Sequence, residues 1–159
     1  MKSILNFNPI TYEIGLKSEA RTLAILNNLF FNSFIKKEEL KGIDLESNNG
    51  VIGIENKSTA YTYNNAMFYF EEDKNNDPCF QFDYLKCTTF ENKYDDKIIF
   101  ITVEFKDELR FIRYDKTVFS QFQKGYNKKN IFVVFIPLKK LLPIKRLGKQ
   151  LKQIAFSLL

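Results

Sequence analysis

The sequence predicts a single α/β domain, in which helices flank a central mixed β-sheet. Two stretches, 98–103 and 131–136, are almost continuously apolar, as is typical of strands buried on both faces. Apolar residues at helical spacing precede them, and an amphipathic basic segment follows them. The order of helix, two or three strands, helix, strand pair, strand and basic helix favours this fold class. A length of 159 residues suits one domain over residues 1–159.

The first predicted element is a helix from Thr11 to Phe34, capped by Thr11. A stripe of apolar residues recurs along it at the spacing of one helix face. These residues are Leu16, Leu23, Leu26, Leu29 and Phe30. A polar connection over 36–41 follows.

The next predicted element is a β-hairpin between Ile43 and Thr59. The segment 48–50 is N-N-G, and both residue types tolerate the positive φ of a tight turn. Alternation along the second strand places Glu55 and Lys57 on one face, with Val51 and Gly53. Ile52, Ile54 and Asn56 are predicted on the other face.

The second half of the chain predicts a loop over 72–78 and a helix from Cys79 to Phe90. Asp77 is the expected N-cap of this helix and Pro78 its first residue. The later elements are also assigned from the pattern. They are strands at 97–105 and 109–114, a short helix at 115–122, a basic turn at 124–130, a strand at 131–136 and a basic C-terminal segment.

The hairpin also carries a candidate metal site. Its first strand contributes Asp44, which pairing brings towards Glu55 and Lys57. Hard divalent cations such as Mg²⁺ bind carboxylate oxygens, and Lys57 can orient a water or neutralise developing negative charge. The alternative is a hairpin whose alternate charged residues simply face water.

The pattern D-x(10)-E-x-K, formed by Asp44, Glu55 and Lys57, resembles the core of the PD-(D/E)XK nucleases, which include restriction endonucleases and Holliday junction resolvases. The E-x-K-S-T stretch that ends at Thr59 is similar to the archaeal-type resolvases. Ile43 stands where many members have proline. The resemblance implies a restriction-endonuclease-like core and Mg²⁺-dependent cleavage of DNA, with Mn²⁺ able to substitute.

Members of this family also have a helical glutamate upstream, often a few residues after a glycine. Gly15 and Glu19 match that arrangement, so the resemblance implies metal ligation by Asp44 and Glu55 with support from Glu19. The alternative for Glu19 is an ordinary surface carboxylate that pairs with Lys17 or Arg21.

Composition removes several other mechanisms. The chain has no histidine, which excludes Ser-His-Asp, Cys-His and His-dependent nuclease chemistry. Cys79 and Cys87 alone do not predict a zinc site, and a disulfide between them has no support in the sequence. No apolar run has the length of a signal peptide or a membrane span, so we expect a cytoplasmic protein.

A formal charge of +5 favours an anionic partner. The basic residues of the C-terminal segment predict a surface that contacts DNA phosphates, the alternative being the solvated side of a terminal helix. They are Lys139, Lys140, Lys145, Arg146, Lys149 and Lys152. Tyr61 and Tyr63 can stack on unpaired bases or lie at the edge of the core.

The leading interpretation is therefore a Mg²⁺-dependent DNA endonuclease, and we expect a homodimer because cutting both strands requires two sites. Two alternatives remain at this stage. One is a nucleic-acid-binding module without catalysis on the same fold, and the other is a protein-interaction domain with a basic surface. The sequence does not separate restriction, homing, repair and junction-resolving roles.

Overall fold

The computed structural model describes residues 8–37 and 42–158, with side chains described as far as residue 152. Within these residues no helix combines the length and apolar character needed to cross a bilayer. The helices are α1 (Pro9–Leu29), α2 (Tyr63–Tyr69), α3 (Tyr84–Lys93), α4 (Lys116–Ser120) and α5 (Leu147–Leu158). The strands are β1 (Phe34–Lys36), β2 (Leu45–Ser47), β3 (Ile52–Ser58), β4 (Cys79–Asp83), β5 (Ile98–Glu104), β6 (Leu109–Arg113), β7 (Lys124–Tyr126), β8 (Phe132–Pro137) and β9 (Leu142–Pro143).

A mixed six-stranded sheet forms the centre of the fold, in the order β1-β2-β3-β5-β6-β9. Strands β3 and β5 are parallel, and the other neighbours in this sheet are antiparallel. The register of the parallel pair sets Glu55 beside Ile101 and Asn56 beside Thr102. A second sheet has three strands in the order β4-β8-β7. The fold class predicted from the sequence, a central mixed sheet flanked by helices, is confirmed.

Apolar layers cover both faces of the central sheet. One layer joins α1 and α5 to the sheet, with Leu26, Phe100 and Leu147 fully buried in it. The other joins α3 and the second sheet to the opposite face, where Phe90 and Ile101 are buried. Successive residues of a strand point to opposite faces, so β3 presents side chains to both layers.

Helix α1 begins earlier and ends earlier than the sequence predicted. Asn8, not Thr11, is its N-cap: the Asn8 side chain accepts hydrogen bonds from the Ile10 and Thr11 N–H groups at 3.0 and 3.2 Å. The helix stops at Leu29, because the chain turns through residues with positive φ at 31 and 32 (52° and 59°) and then enters β1. The predicted helix to Phe34 was therefore wrong at its end. The predicted connection over 36–41 lies partly outside the described residues.

The predicted helix from Cys79 to Phe90 is in fact two elements. Its first five residues form β4, which pairs antiparallel with β8, and only the remainder is helical. The N-cap of α3 is Asp83 rather than Asp77, and its side chain accepts a hydrogen bond from the Leu85 N–H at 3.0 Å. Pairing with β8 satisfies the backbone groups that a helix would have satisfied internally.

The remaining elements follow the prediction with three additions, α2, β7 and the short strand β9. Strands β5, β6 and β8 and helix α4 lie where the pattern placed them. Part of the expected basic turn at 124–130 is strand β7, and α2 was not predicted. Cys79 and Cys87 are both buried free thiols, and burial raises the pKa of each to about 12.

Gly53 gives a test of packing beneath the hairpin. A methyl group added there would lie 2.7 Å from Ile43 Cδ1, 2.8 Å from Ile99 Cδ1 and 3.2 Å from Ile43 Cγ2. We expect Gly53→Ala to lower the free energy of unfolding by about 1–3 kcal/mol in urea titrations. Gly15→Ala is the matched control, because nothing lies within 4 Å of its added carbon. It should raise stability by about 0.5–1 kcal/mol through helix propensity. Equal effects of the two changes would contradict this account.

Candidate active site

The candidate site lies where β2 and β3 separate. Their pairing ends near Leu45 and Ile54, with a last backbone hydrogen bond of 2.9 Å from the Asp44 N–H to Ile54 O. Beyond that point the Asp44 carboxylate replaces the strand as the hydrogen-bond partner of β3, because its Oδ2 atom accepts a hydrogen bond from the Asn56 N–H at 2.8 Å. The side chain of Asp44 is thereby held against β3, beside Glu55.

Glu55 is almost completely buried, with 1% of its surface exposed. Its Oε1 atom lies 3.2 Å from Lys86 Nζ and 3.6 Å from Lys57 Nζ. Its Oε2 atom is buried and has no hydrogen-bond partner among the described residues. Burial and the nearby Asp44 carboxylate raise the pKa of Glu55, while Lys57 and Lys86 oppose that rise. The arrangement is a buried carboxylate with one oxygen paired and one oxygen open.

Glu19 approaches the same place from α1. Burial raises its pKa to about 7, and the Asp44 carboxylate contributes next by its charge and by a hydrogen bond. Among the described residues, the ammonium of Lys36 is the one that pairs with Glu19, 3.9 Å from its Oε2 atom. The surface partners considered for Glu19 are engaged elsewhere, since Lys17 pairs with Glu13 at 3.3 Å and Arg21 pairs with a carboxylate of β5.

These carboxylates have the donor chemistry of a site for a hard divalent cation. Asp44 and Glu55 offer carboxylate oxygens of the type that Mg²⁺ prefers, and Glu55 Oε2 is an acceptor without a partner in the described structure. The residues thus fit such an ion. Within residues 8–37 and 42–158, however, no three Asp, Glu, Cys or His side chains are already arranged around one point as a metal cluster.

Sequence reasoning missed two ammonium groups at the site. Lys86 comes from α3 and Lys36 from β1, and each lies within 4 Å of a predicted site carboxylate. Neither belongs to the E-x-K pattern, and both are distant from Glu55 in sequence. No local sequence signal marks Lys86, because its contact with Glu55 depends on how α3 packs in the fold.

The fold places the basic residues of the C-terminal segment in two separate regions instead of on one surface. Lys139 pairs with Asp77 at 3.0 Å and lines one cavity together with Lys140. Lys145, Lys149 and Lys152 instead line a separate groove of about 930 Å³ between α5, the end of α1 and the β2–β3 turn. Arg146 is exposed in the short 3-10 turn before α5.

The two predicted tyrosines lie in different environments. Tyr63 is in α2, where its hydroxyl donates to Leu138 O at 3.1 Å and the Arg110 guanidinium lies 3.6 Å from the centre of its ring. Tyr61 precedes the helix, is 45% exposed and contacts the ring of Phe70, with 5.4 Å between centroids. Tyr63 therefore lies at the edge of the core, and Tyr61 keeps an accessible ring face.

The fold has a counterpart among solved structures. The chain matches Hjc of Archaeoglobus fulgidus, a Holliday junction resolvase from an archaeal hyperthermophile, with a TM-score of 0.53 and 13% sequence identity. The match covers 84% of this chain and 98% of that one. No family model and no curated protein matches the sequence. The match shows that this chain shares the fold of that protein, in agreement with the fold class predicted from the sequence.

The raised pKa of Glu19 predicts a pH dependence of stability. A carboxyl group that holds its proton more tightly when folded stabilises the fold most at low pH. That contribution is lost as pH rises from the ordinary pKa of 4.5 to about 7. Urea unfolding of metal-free protein across this range should show falling stability, and Glu19→Gln should fall less steeply. Glu13→Gln, on the exposed side of the same helix, is the control and should keep the wild-type slope. Equal slopes for wild type and Glu19→Gln would contradict the environment assigned to Glu19.

Proposed function

We propose that the protein is a Mg²⁺-dependent DNA endonuclease that hydrolyses phosphodiester bonds, with Mn²⁺ able to replace Mg²⁺. The observation that carries this proposal is the geometry around Glu55. A buried carboxylate with one open oxygen lies beside Asp44, and the Lys57 ammonium is 3.6 Å from its other oxygen. The resolvase-like fold supports the same conclusion.

In this proposal Asp44 and Glu55 hold the divalent ion, and Glu19 supports it from α1. The bound ion supplies Lewis-acid stabilisation and lowers the pKa of a coordinated water. Lys57 is partly exposed at the end of β3, so its ammonium can reach the attacked phosphate and neutralise developing charge. Lys86 opposes the rise in the pKa of Glu55 from the α3 side, which favours the ionised form that binds a cation.

DNA is the proposed partner, bound through phosphates by the basic C-terminal segment. Lys145, Lys149 and Lys152 lie near the turn of the hairpin, and Ile52 in the same groove is separated from Lys57 by roughly 17 Å of strand. A homodimer, with one site for each DNA strand, is part of the proposal.

The direct test is cleavage of supercoiled plasmid, linear duplex, single strands and a four-way junction by purified protein. Each substrate is incubated with Mg²⁺, with Mn²⁺ and with EDTA. Cleavage of any substrate that needs the metal supports the proposal, and the preferred substrate identifies its class. DNA binding without cleavage under every condition would contradict it.

Lys57 provides the sharpest mutational test. Lys57→Ala should reduce the cleavage rate roughly 100-fold, because a contact made in the transition state is lost. The change also removes one of the two ammonium groups paired with buried Glu55, so stability should fall measurably, and the rates are compared under conditions in which both proteins are folded. Asp44→Ala should also lose cleavage, but higher Mg²⁺ or Mn²⁺ should restore part of it because its role is ligation. Wild-type cleavage by Lys57→Ala would overturn the catalytic assignment of the hairpin.

Lys86 should influence the pH profile of cleavage. Because its ammonium limits the rise in the pKa of Glu55, Lys86→Met should move the acid limb of the rate profile to higher pH. Lys86→Arg should restore the wild-type limb. Lys93→Met serves as the control, since Lys93 lies on the same helix but over the ring of Tyr94. A profile unchanged in Lys86→Met would show that Glu55 does not depend on this ion pair.

One observation favours a second candidate, a nucleic-acid-binding module without catalysis. Two ammonium groups already contact Glu55 Oε1, and the described residues contain no preformed three-carboxylate cluster. In that case DNA affinity should fall steeply with salt, while Asp44→Ala and Glu55→Gln should leave binding unchanged.

A further inference from the structure

Asn56, the middle residue of the E-x-K pattern, lies at the centre of a buried polar network. Its side chain is on the sheet face opposite to Glu55 and Lys57, against α1. Asn56 Oδ1 accepts hydrogen bonds from the hydroxyls of Thr22 and Thr102, both at 2.8 Å. Asn56 Nδ2 donates to Ser18 Oγ at 2.9 Å. The four side chains are between 0% and 7% exposed.

The same residue also acts through its backbone, because the Asn56 N–H is the donor to Asp44 Oδ2 at 2.8 Å. One residue therefore holds Asp44 with its main chain and α1 with its side chain. An amide suits this position, since Oδ1 can accept two hydroxyl donors while Nδ2 donates to a third hydroxyl.

Besides Thr102, a second residue of β5, Glu104, is joined to α1. A hydrogen bond from Ser18 and, more strongly, one from Arg21 hold the pKa of Glu104 below its ordinary value. The Arg21 guanidinium donates to both oxygens of Glu104, from Nε and Nη2, at 2.7 Å each. Ser18, Arg21 and Thr22 thus attach one turn of α1 to β3 and β5, and Glu19 belongs to this turn.

We infer that Asn56 is a positioning residue, whose side-chain amide sets the placement of Glu19 opposite Asp44 and Glu55. Hydrophobic packing alone would let α1 slide by small amounts along the sheet, because apolar contacts have little directional preference. Two buried hydrogen bonds join Ser18 and Thr22 of α1 to this amide and remove that freedom, since any slide would leave buried polar groups without partners. The effect of Asn56 on cleavage rests on the proposed function. Its effect on the position of Glu19 does not.

The structural content is tested on metal-free and DNA-free protein by NMR of the side-chain carboxyl carbons. We expect Asn56→Leu and Thr22→Val each to shift the Glu19 signal, because the turn that carries Glu19 loses its anchor. Ser47→Ala is the matched control. Ser47 is a buried polar residue of β2, 5% exposed, that donates to Asn49 Oδ1 at 2.6 Å and accepts from the Ile52 N–H at 3.0 Å.

Ser47→Ala should lower stability without moving the Glu19 signal. A general loss of stability changes the population of folded protein, whereas the chemical shift reports the local environment in the folded state. If Asn56→Leu does not fold, Thr22→Val, which removes a single hydroxyl, decides the question. A Glu19 signal unmoved in every folded variant of Asn56 and Thr22 would overturn the inference.

The catalytic consequence is tested by a double-mutant cycle with Glu19. Asn56→Leu should lower the cleavage rate roughly ten- to hundred-fold at saturating Mg²⁺, because displaced catalytic groups lose their productive geometry. In a Glu19→Gln background the same change should lower the remaining rate by less than about twofold, since the group that it positions is already gone. Equal losses in both backgrounds would contradict positioning through Glu19.

The two proposals fail in different ways. If the wild-type protein cleaves no DNA, the proposed function is wrong, and the NMR comparison still decides whether Asn56 places Glu19. If the wild-type protein cleaves and Asn56→Leu cleaves equally well with an unmoved Glu19 signal, the inference is wrong and the nuclease remains.

Discussion

The hydrogen bond between the Asn56 N–H and the Asp44 carboxylate is the contact on which the site depends. It forms where the backbone ladder between β2 and β3 ends, so a side chain replaces a strand as the partner of a backbone donor. Without it a backbone N–H near the core would lack its strand partner, at a cost comparable to a lost hydrogen bond. Because Asp44 fills this role, its carboxylate is fixed beside Glu55 by the requirements of the sheet itself.

Burying Glu55 is costly, and its surroundings show how the cost is reduced. Removing an ionised carboxylate from water has an effective penalty of the order of several kcal/mol, even after the protein relaxes. Lys57 and Lys86 approach one of its oxygens from two different elements and offset part of this penalty. Because Oε2 has no partner among the described residues, part of the desolvation penalty of Glu55 is not compensated. Buried ionisable groups with perturbed pKa values are common at functional sites.

Local periodicity was enough to predict the part of the site that lies on one strand. Alternation placed Glu55 and Lys57 on one face and Asn56 on the other, and the structure has that arrangement. Lys86 could not be predicted, because it reaches Glu55 only through the tertiary fold, which local periodicity does not report. The C-F-Q-F-D run of β4 is a short apolar segment whose period does not distinguish helix from strand, and its partner β8 lies far away in sequence.

The boundaries of α1 show a related limit. Its N-cap is Asn8, followed by Pro9 at the first helical position, and this recognisable start signal lies three residues before the predicted start at Thr11. Its end was not visible in the same way. Residues 31 and 32 adopt positive φ, and the following strand is held by pairing with β2, so tertiary contacts decide where the helix stops.

The parallel pairing of β3 and β5 has a consequence for the order of folding. Parallel neighbours require a crossover, and here the crossover carries α2, β4 and α3 and therefore Lys86. Asp44, Glu55 and Lys57 belong to one hairpin, so only a short segment of chain must close to bring them together. Lys86 reaches Glu55 only after the longer crossover segment has closed. Asp44 and Glu55 can thus come together before the Lys86 ammonium pairs with Glu55. Docking of α3 is the step that completes the electrostatics of the site.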